Sequence, residues 1–338
     1  MSEYSLKTSK CSLLPLRVIL VFFVSLVALY ICYLCMNQIT VEKNARDALF
    51  TIRKAENLCP THNIPPEEIQ YMHFPQPRTY NRGECSCTPV RYFVIVSMQR
   101  SGSGWFETLL NSHPNVSSNG EIFSIKARRA DSSSIMKTLD TVYNLDWLTS
   151  AAKNECVAAF GLKWMLNQGL MDHQKEILTY FKANGVSLIF LFRRNLLRRF
   201  ISVLANDYDR QEKQLNGTHK AHVHSREEAE ILARFRPIIN TATLISNLSD
   251  AEKAIADCLQ YYSSIRHIIL YYEDIINNQD ALSHVQEFLR LPIRKLVSHQ
   301  VKIHTRPLSE QVINWKDVLK TLNETQYDHF LNHVDYYS

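Results

Sequence analysis

The chain has 338 residues, of which 46% are hydrophobic and 21% charged, with a formal net charge of +5 and a pI near 8.7. This balance excludes disorder as the main state and leaves enough chain for one large domain with appendages or two small ones. A mild basic excess fits either a solvated face or a basic cleft for an anionic ligand, and charge alone does not choose between them.

Residues 1–17 read as a cytoplasmic tail. Val18 to Met36 follows as a nearly unbroken apolar run without a charge. At a rise of about 1.5 Å per residue, that run spans a bilayer's hydrocarbon core. Lys7, Lys10 and Arg17 precede it, whereas Lys43 and Arg46 beyond it are balanced by Glu42 and Asp47. The positive flank predicts a cytoplasmic N-terminus and a lumenal remainder. A cleaved signal peptide would carry an apolar core of only about 7–15 residues, so 18–36 is read as an uncleaved transmembrane signal-anchor. Four sequons lie beyond it, at Asn115, Asn216, Asn247 and Asn323, and they are compatible with a secretory lumen.

Residues 37–89 contain Pro60, Pro65, Pro66, Pro75, Pro77 and Pro89 among many polar residues. They are expected to form a lumenal stem, with a short helix over 44–58. Five cysteines lie beyond the anchor: Cys59, Cys85, Cys87, Cys156 and Cys258. The odd count leaves at least one unpaired or intermolecular, and one or two bridges are expected without assigned partners.

From residue 90 the pattern changes. "VRYFVIVS", "VAAFGLKW", "VSLIFLF" and "HIILYY" are short apolar runs separated by segments of helical length. Runs without polar alternation suit strands buried on both faces, and strands alternating with helices imply a parallel sheet. One α/β domain over residues 90–338 is predicted. Ser225 and Glu228 form a capping-box pattern before an apolar helical face, and the polar stretch 207–224 reads as a surface loop that can cover a cleft.

"QRSGSGW" follows the first core strand, where open α/β sheets place ligands. Backbone N–H groups around Gly102 and Gly104 can cradle a tetrahedral anion, with Arg100 adding charge and Ser101 and Ser103 adding hydroxyls. A nucleoside-triphosphatase loop would carry a lysine and a magnesium-binding hydroxyl at its end. Their absence disfavours a metal-dependent kinase and favours an anion that needs no metal. "LIFLFRRNLLRRFIS" is a second grip. Arg194 and Ser202 are eight residues apart, which in a helix puts them on one side for a second phosphate.

These stretches resemble the sulfotransferases. "RSGSGW" is similar to their 5′-phosphosulfate loop, and "RRNLLRRFIS" to their 3′-phosphate motif. "ILYYEDI" is similar to a later strand of that family, and "KIHTRPLSEQVINW" to its C-terminal cofactor loop. The nearest likeness is to nodulation-factor-type carbohydrate sulfotransferases and their membrane-anchored plant relatives, over roughly residues 91–316. "HPNVSSNGEIF" also resembles tyrosylprotein sulfotransferases. The resemblance implies a three-layer P-loop-like fold with a central parallel sheet, and 3′-phosphoadenosine-5′-phosphosulfate (PAPS) as donor without a metal. It implies that Arg100, Ser101, Gly102, Ser103 and Gly104 hold the phosphosulfate and that Trp105 stacks on adenine. Arg194 and Ser202 would then hold the 3′-phosphate, with Lys302 and Arg306 closing over it.

Glu121 matches the carboxylate base of Golgi-type members. The strand position where cytosolic members place histidine is Met165 here. Lys163 is placed either to neutralise the leaving phosphosulfate or to lie along the strand. His219, His222 and His224 are the fallback bases. Gly104 stands where many members have Thr or Ser, which removes a donor to the phosphosulfate. The expected function is a Golgi type II sulfotransferase acting on a saccharide or glycoconjugate hydroxyl, with no nucleic-acid partner and a homodimer left open. A peptide tyrosine acceptor, and an inactive membrane-anchored PAPS-binding protein, stand as alternatives.

Overall fold

The computed structural model describes residues 23–33, 65–149, 156–278 and 280–331. Residues 1–62 and 63–338 form two compact units. In the first, residues 23–33 are helical and exposed. They fall inside the expected span 18–36; the remainder of that span, the tail and the helix expected at 44–58 lie outside the described residues. Among the described residues no helix is long and apolar enough to cross a membrane.

The second unit is built on five parallel strands: β1 (Arg91–Ser97), β2 (Val116–Ser118), β3 (Ala159–Met165), β4 (Ser187–Phe192) and β5 (His267–Tyr271), in the order β2–β3–β1–β4–β5. Every residue of β1, β3 and β4 is buried, which is why their sequences run apolar without alternation. The four runs read from sequence are strands. β2 went unread because three residues between two asparagines, Asn115 and Asn119, carry no period.

Both faces of the sheet are covered. Tyr92, Val94 and Val96 of β1 pack with Leu139 of α2 (Ser132–Tyr143), Phe181 of α3 (Gln174–Ala183) and Cys258 of α6 (Thr241–Tyr261). Phe93 and Ile95 face the opposite way, against Phe106 and Leu110 of α1 (Ser103–Asn111) and Val285 of α7 (Asp280–Phe288). This alternation of burial partners along one strand produces the helix–sheet–helix layering.

From β1 the chain crosses to β2 and returns through β3 on one side of it, whereas β4 lies on the other side and leads through α4 (Leu196–Glu212) to β5. The carboxyl ends of β1 and β4 therefore flank a switch point, where such sheets open a crevice. α4 runs to Glu212, so part of the loop expected from 207 is helical. Asp209, 3% exposed, accepts from the Gln214 N–H at 3.1 Å and lies 2.6 Å from His219 Nδ1, which ends the helix and folds the next loop back. Ser225 caps α5 (Arg226–Leu232) by accepting from the Glu228 N–H at 3.1 Å, while the Glu228 carboxylate turns to Lys220 Nζ at 2.5 Å.

The described part of the expected stem packs on this unit. His73 stacks on Tyr92 at 3.9 Å and exchanges backbone hydrogen bonds with Val90. Arg82 is 1% exposed, Cys85 is bridged to Cys156, and Cys87 is also disulfide-bonded. A few anchoring side chains inside a proline-rich, polar stretch do not change its composition, so the packing of residues 65–89 on the unit that begins at residue 63 was not visible. Cys258 is free and buried.

Glu68 is the strongest of these anchors. Its carboxylate lies 3.1 Å from Arg91, 2.9 Å from Arg290 and 3.7 Å from Arg266. The Arg290 hydrogen bond, opposed by burial, and the charges of Arg266 and Arg91 hold its carboxyl below the usual range. Its contribution is present above the unfolded carboxyl pKa and is lost as pH falls through the lower folded value. Glu68→Gln is expected to cost about 3 kcal/mol at pH 7, measured by denaturant unfolding, because three guanidiniums lose their counter-charge. That difference from wild type should shrink as pH falls below 4; a difference that does not change with pH would contradict the ion-pair account.

Candidate functional site

The crevice at the switch point holds a cavity of about 430 Å³, within the roughly 300–1,000 Å³ range of small-molecule sites. The loop after β1 forms its floor. Gly102 precedes α1 with φ +83°, a conformation that favours glycine, and a Cβ there would run into the Tyr272 ring. No side chain caps the α1 N-terminus, and its first residues line the cavity, so its first N–H groups are available to a bound anion. Ser103, Gly104 and Trp105 line it. Ser101 does not line it, but its buried hydroxyl has no hydrogen-bond partner among the described residues. An unsatisfied buried hydroxyl in an N–H-rich loop fits a bound oxyanion.

Arg100, itself at φ +65°, crosses the cavity. Its Nε donates to Ser202 Oγ at 2.9 Å, and its Nη1 donates to the Ala221 carbonyl at 2.8 Å. Burial, followed by the nearby Arg193 charge, lowers its guanidinium to about 10, so it stays protonated at neutral pH. The two motifs found separately in the sequence thus meet in one hydrogen bond. Arg193 and Lys302 add further positive charge to the lining. The segment 300–304 covers one side, held to the 213–225 loop where the Val301 N–H donates to the Val223 carbonyl at 2.9 Å.

Arg194 does not line the cavity. The spacing argument assumed helix from residue 194, but Asn195 is the N-cap and α4 starts at Leu196. The Glu273 carboxylate accepts from the backbone N–H of Arg194 at 3.0 Å and of Asn195 at 3.4 Å. That turn sends the Arg194 side chain to Asp274 and over the Tyr271 ring, half exposed. Arg193, one residue earlier, takes the cavity side and lies 5.1 Å over Tyr272. Arg306 is exposed and outside the lining, whereas Lys302 is in it.

Glu121 reaches the cavity from the segment after β2, with its side chain 35% exposed. Gln168 Nε2 donates to it at 2.8 Å and Lys163 Nζ lies 3.5 Å away. Lys163 also pairs with Glu107 at 3.1 Å, and the other oxygen of Glu107 accepts from Ser118 Oγ and from the Gly120 N–H. Lys163 is therefore fixed behind Glu121 and orients it. Met165 contributes an apolar wall.

Sequence reasoning did not single out Asn206, Arg210, Tyr272 or His304, which also line the cavity. Asn206 and Arg210 repeat at four-residue intervals from Ser202 along α4, a signal available from the helical period. Tyr272 sits just past β5, at a strand's carboxyl end.

Of the sequon asparagines, Asn216, Asn247 and Asn323 are exposed. The Asn115 amide donates to the Cys156 carbonyl at 2.8 Å, and Ser117 is fully buried. His113, just past the end of α1, is buried with its Nε2 3.0 Å from the Pro292 carbonyl. Among the described residues no group of three or more His, Cys, Asp or Glu side chains is placed to hold a metal ion.

No family model matches the chain. Nodulation protein H of Rhizobium meliloti is 23% identical over 239 residues, covering 69% of this chain and 92% of that protein. Among solved structures, a sulfotransferase domain from the curacin biosynthetic pathway is 17% identical with a TM-score of 0.34, covering 65% of this chain and 83% of its own. A sulfotransferase from Alicyclobacillus acidocaldarius is 11% identical with a TM-score of 0.35, covering 71% and 98%.

Two cavity histidines set a pH dependence. Burial, then the charges of Arg100 and Arg193, lower His304 to about 3; burial, then Lys163, Arg100 and His224, lower His222 to about 4. Both are neutral at pH 7. The unfolded chain binds their protons near pH 6.5, so stability is full above that pH and falls as pH drops toward 4. Thermal unfolding at pH 7 and 4.5 should show a smaller drop for a His222→Asn/His304→Asn variant than for wild type; equal drops would contradict these assignments.

Proposed function

We propose that this chain, a PAPS-dependent sulfotransferase by family, is a membrane-anchored enzyme that moves a sulfuryl group from PAPS to a saccharide hydroxyl. The observation that carries this reading is the Arg100–Ser202 contact. It joins the phosphosulfate-type loop and the 3′-phosphate-type motif in one cation-lined cavity. The likeness of "RSGSGW" and "RRNLLRRFIS" to nodulation-factor-type carbohydrate sulfotransferases supports a saccharide acceptor, and the match to nodulation protein H spans 69% of this chain and 92% of that protein.

The residues fit the donor. Bound PAPS would supply an activated sulfuryl group whose departure leaves a phosphate. The α1 N-terminus, Arg100 and Ser103 would hold the phosphosulfate and stabilise the charge that gathers there as transfer proceeds. Arg193, Ser202 and Lys302 would hold the second phosphate, and Trp105 offers an aromatic wall for adenine. Glu121 would accept the proton of the acceptor hydroxyl, with Lys163 and Gln168 fixing its carboxylate. Such help is typically worth about 10²–10⁴-fold.

Anchoring by 18–36, with the enzyme in the Golgi lumen, is part of the proposal. The positive flank before the run supports it, as does the Cys85–Cys156 bridge, which belongs to an oxidising compartment. A second reading, transfer to tyrosine in an acidic peptide, is favoured by one observation. Lys126, Arg128 and Arg129 form a basic turn shortly after Glu121, and Lys126 and Arg129 line an open pocket there.

Incubation with radiolabelled donor and a panel of glycans and acidic tyrosine peptides separates the two readings. Label in glycans is expected. Label in peptides alone would select the second reading, and no label in any acceptor would contradict both. Arg193→Ala should weaken binding of 3′,5′-adenosine bisphosphate by about 1.5–3 kcal/mol while leaving 5′-AMP nearly unchanged. Arg194→Ala should change neither, and calorimetric titration reads both; the reverse pattern would contradict the assignment. Glu121→Gln should reduce turnover by at least about a hundredfold at saturating acceptor with donor affinity near normal. Retention of more than about a tenth of wild-type turnover would remove Glu121 as the base.

A further inference from the structure

Gly104 lies in the first turn of α1 and has an ordinary helical conformation, with no positive φ to explain it. Glycine there costs about 1 kcal/mol against alanine, so something else requires it. A Cβ built on Gly104 would run into His222: the three heavy atoms nearest to it all belong to that ring, Nε2 and Cε1 foremost. The missing side chain is a socket filled by an imidazole from another part of the chain.

That imidazole is held from both sides. Ala221 before it is fixed by the Arg100 guanidinium through its carbonyl. Val223 after it is fully buried and bridges to Val301. At the base of the loop, His219 lies against Asp209. The ring therefore rests against Gly104 in the first turn of α1 and lines the cavity, while the residue as a whole keeps an exposed side. Neither of its nitrogens has a hydrogen-bond partner among the described residues, although the ring is in a site lined by donors and cations.

We propose that His222 is a donor-binding residue: its Nε2–H, seated in the Gly104 socket, supplies the hydrogen bond to the 5′-phosphosulfate that a longer side chain at 104 would otherwise give. This rests on the donor assignment above and deepens it. The 213–225 loop becomes part of the donor site rather than a cover over it, and Gly104 becomes a condition for binding rather than a defect. The ring is neutral in the empty cavity because of burial and the Lys163 and Arg100 charges. It therefore reaches the anion as a single N–H donor.

The test is a double-mutant cycle on the full chain, read by calorimetric titration with the non-hydrolysable probe adenosine 3′-phosphate 5′-phosphosulfate analogue and with 3′,5′-adenosine bisphosphate. Thermal unfolding of each variant checks that the fold is intact. His222→Ala should weaken binding roughly tenfold, as loss of one hydrogen bond to a charged group does. Gly104→Ser should weaken it similarly, because its side chain displaces the ring. The Gly104→Ser/His222→Ala double variant should return to within about threefold of wild type, since the serine hydroxyl then occupies the emptied socket. Unchanged affinity in His222→Ala, including the case where only turnover falls, would overturn the inference, as would losses that multiply in the double variant. If wild type binds neither probe, the donor assignment itself fails and this inference with it; wild-type binding beside an unaffected His222→Ala overturns the inference alone.

Discussion

The site depends on one guanidinium. Arg100 sits at the carboxyl end of β1 in a left-handed backbone conformation and bonds both Ser202 of α4 and the carbonyl of Ala221. Three segments far apart in sequence are thereby tied together at the switch point of the sheet. A non-glycine residue at positive φ is a strained choice that persists where its surroundings over-determine it. Here the surroundings are Gly102, with room only for the Tyr272 ring against it, and the buried strand that delivers the loop. Among the described residues no carboxylate forms an ion pair with Arg100, and burial and the Arg193 charge outweigh the more distant Asp207 and Asp209, so its charge is held against its own desolvation. A buried cation in that state is prepared for an anion.

The rest of the site follows from the same constraint. The cations Arg193 and Lys302 gather where the charge of a two-phosphate nucleotide would lie, and the histidines beside them are driven neutral. On the other side of the cavity the charges are balanced differently. Lys163 is shared between Glu107 and Glu121, which keeps a carboxylate facing the opening without leaving it free to collapse onto Arg100. Cations toward β4 and a held carboxylate after β2 give the cavity two ends with opposite chemistry. That polarity is what transfer from an anionic donor to a hydroxyl requires.

The parts of this that were legible in the sequence share a physical reason. Strands buried on both faces announce themselves as unbroken apolar runs, so β1, β3 and β4 and the parallel sheet could be read; β5 carries the same kind of run although it is a partly exposed edge strand. The loop from Arg100 to Trp105 was legible because small residues interrupt such a run. Arg193 was not distinguishable from Arg194, because which one faces the cavity depends on the Glu273 carboxylate arriving from beyond β5. The packing of residues 65–89 rests on isolated anchors, Glu68, His73 and Cys85, whose partners are distant in sequence. Gly104 was visible as a departure from the family pattern, but the ring that fills its place comes from a loop whose path no local pattern encodes.

The central claim is that one cavity holds both phosphates of a 3′,5′-bisphosphate nucleotide, and it is most directly tested by a crystal structure of the protein with 3′,5′-adenosine bisphosphate. The account expects the 5′-phosphate on the loop of residues 100–104 and the 3′-phosphate between Arg193 and Ser202. A nucleotide bound elsewhere, or a 3′-phosphate held by Arg194 with Arg193 turned away, would contradict it.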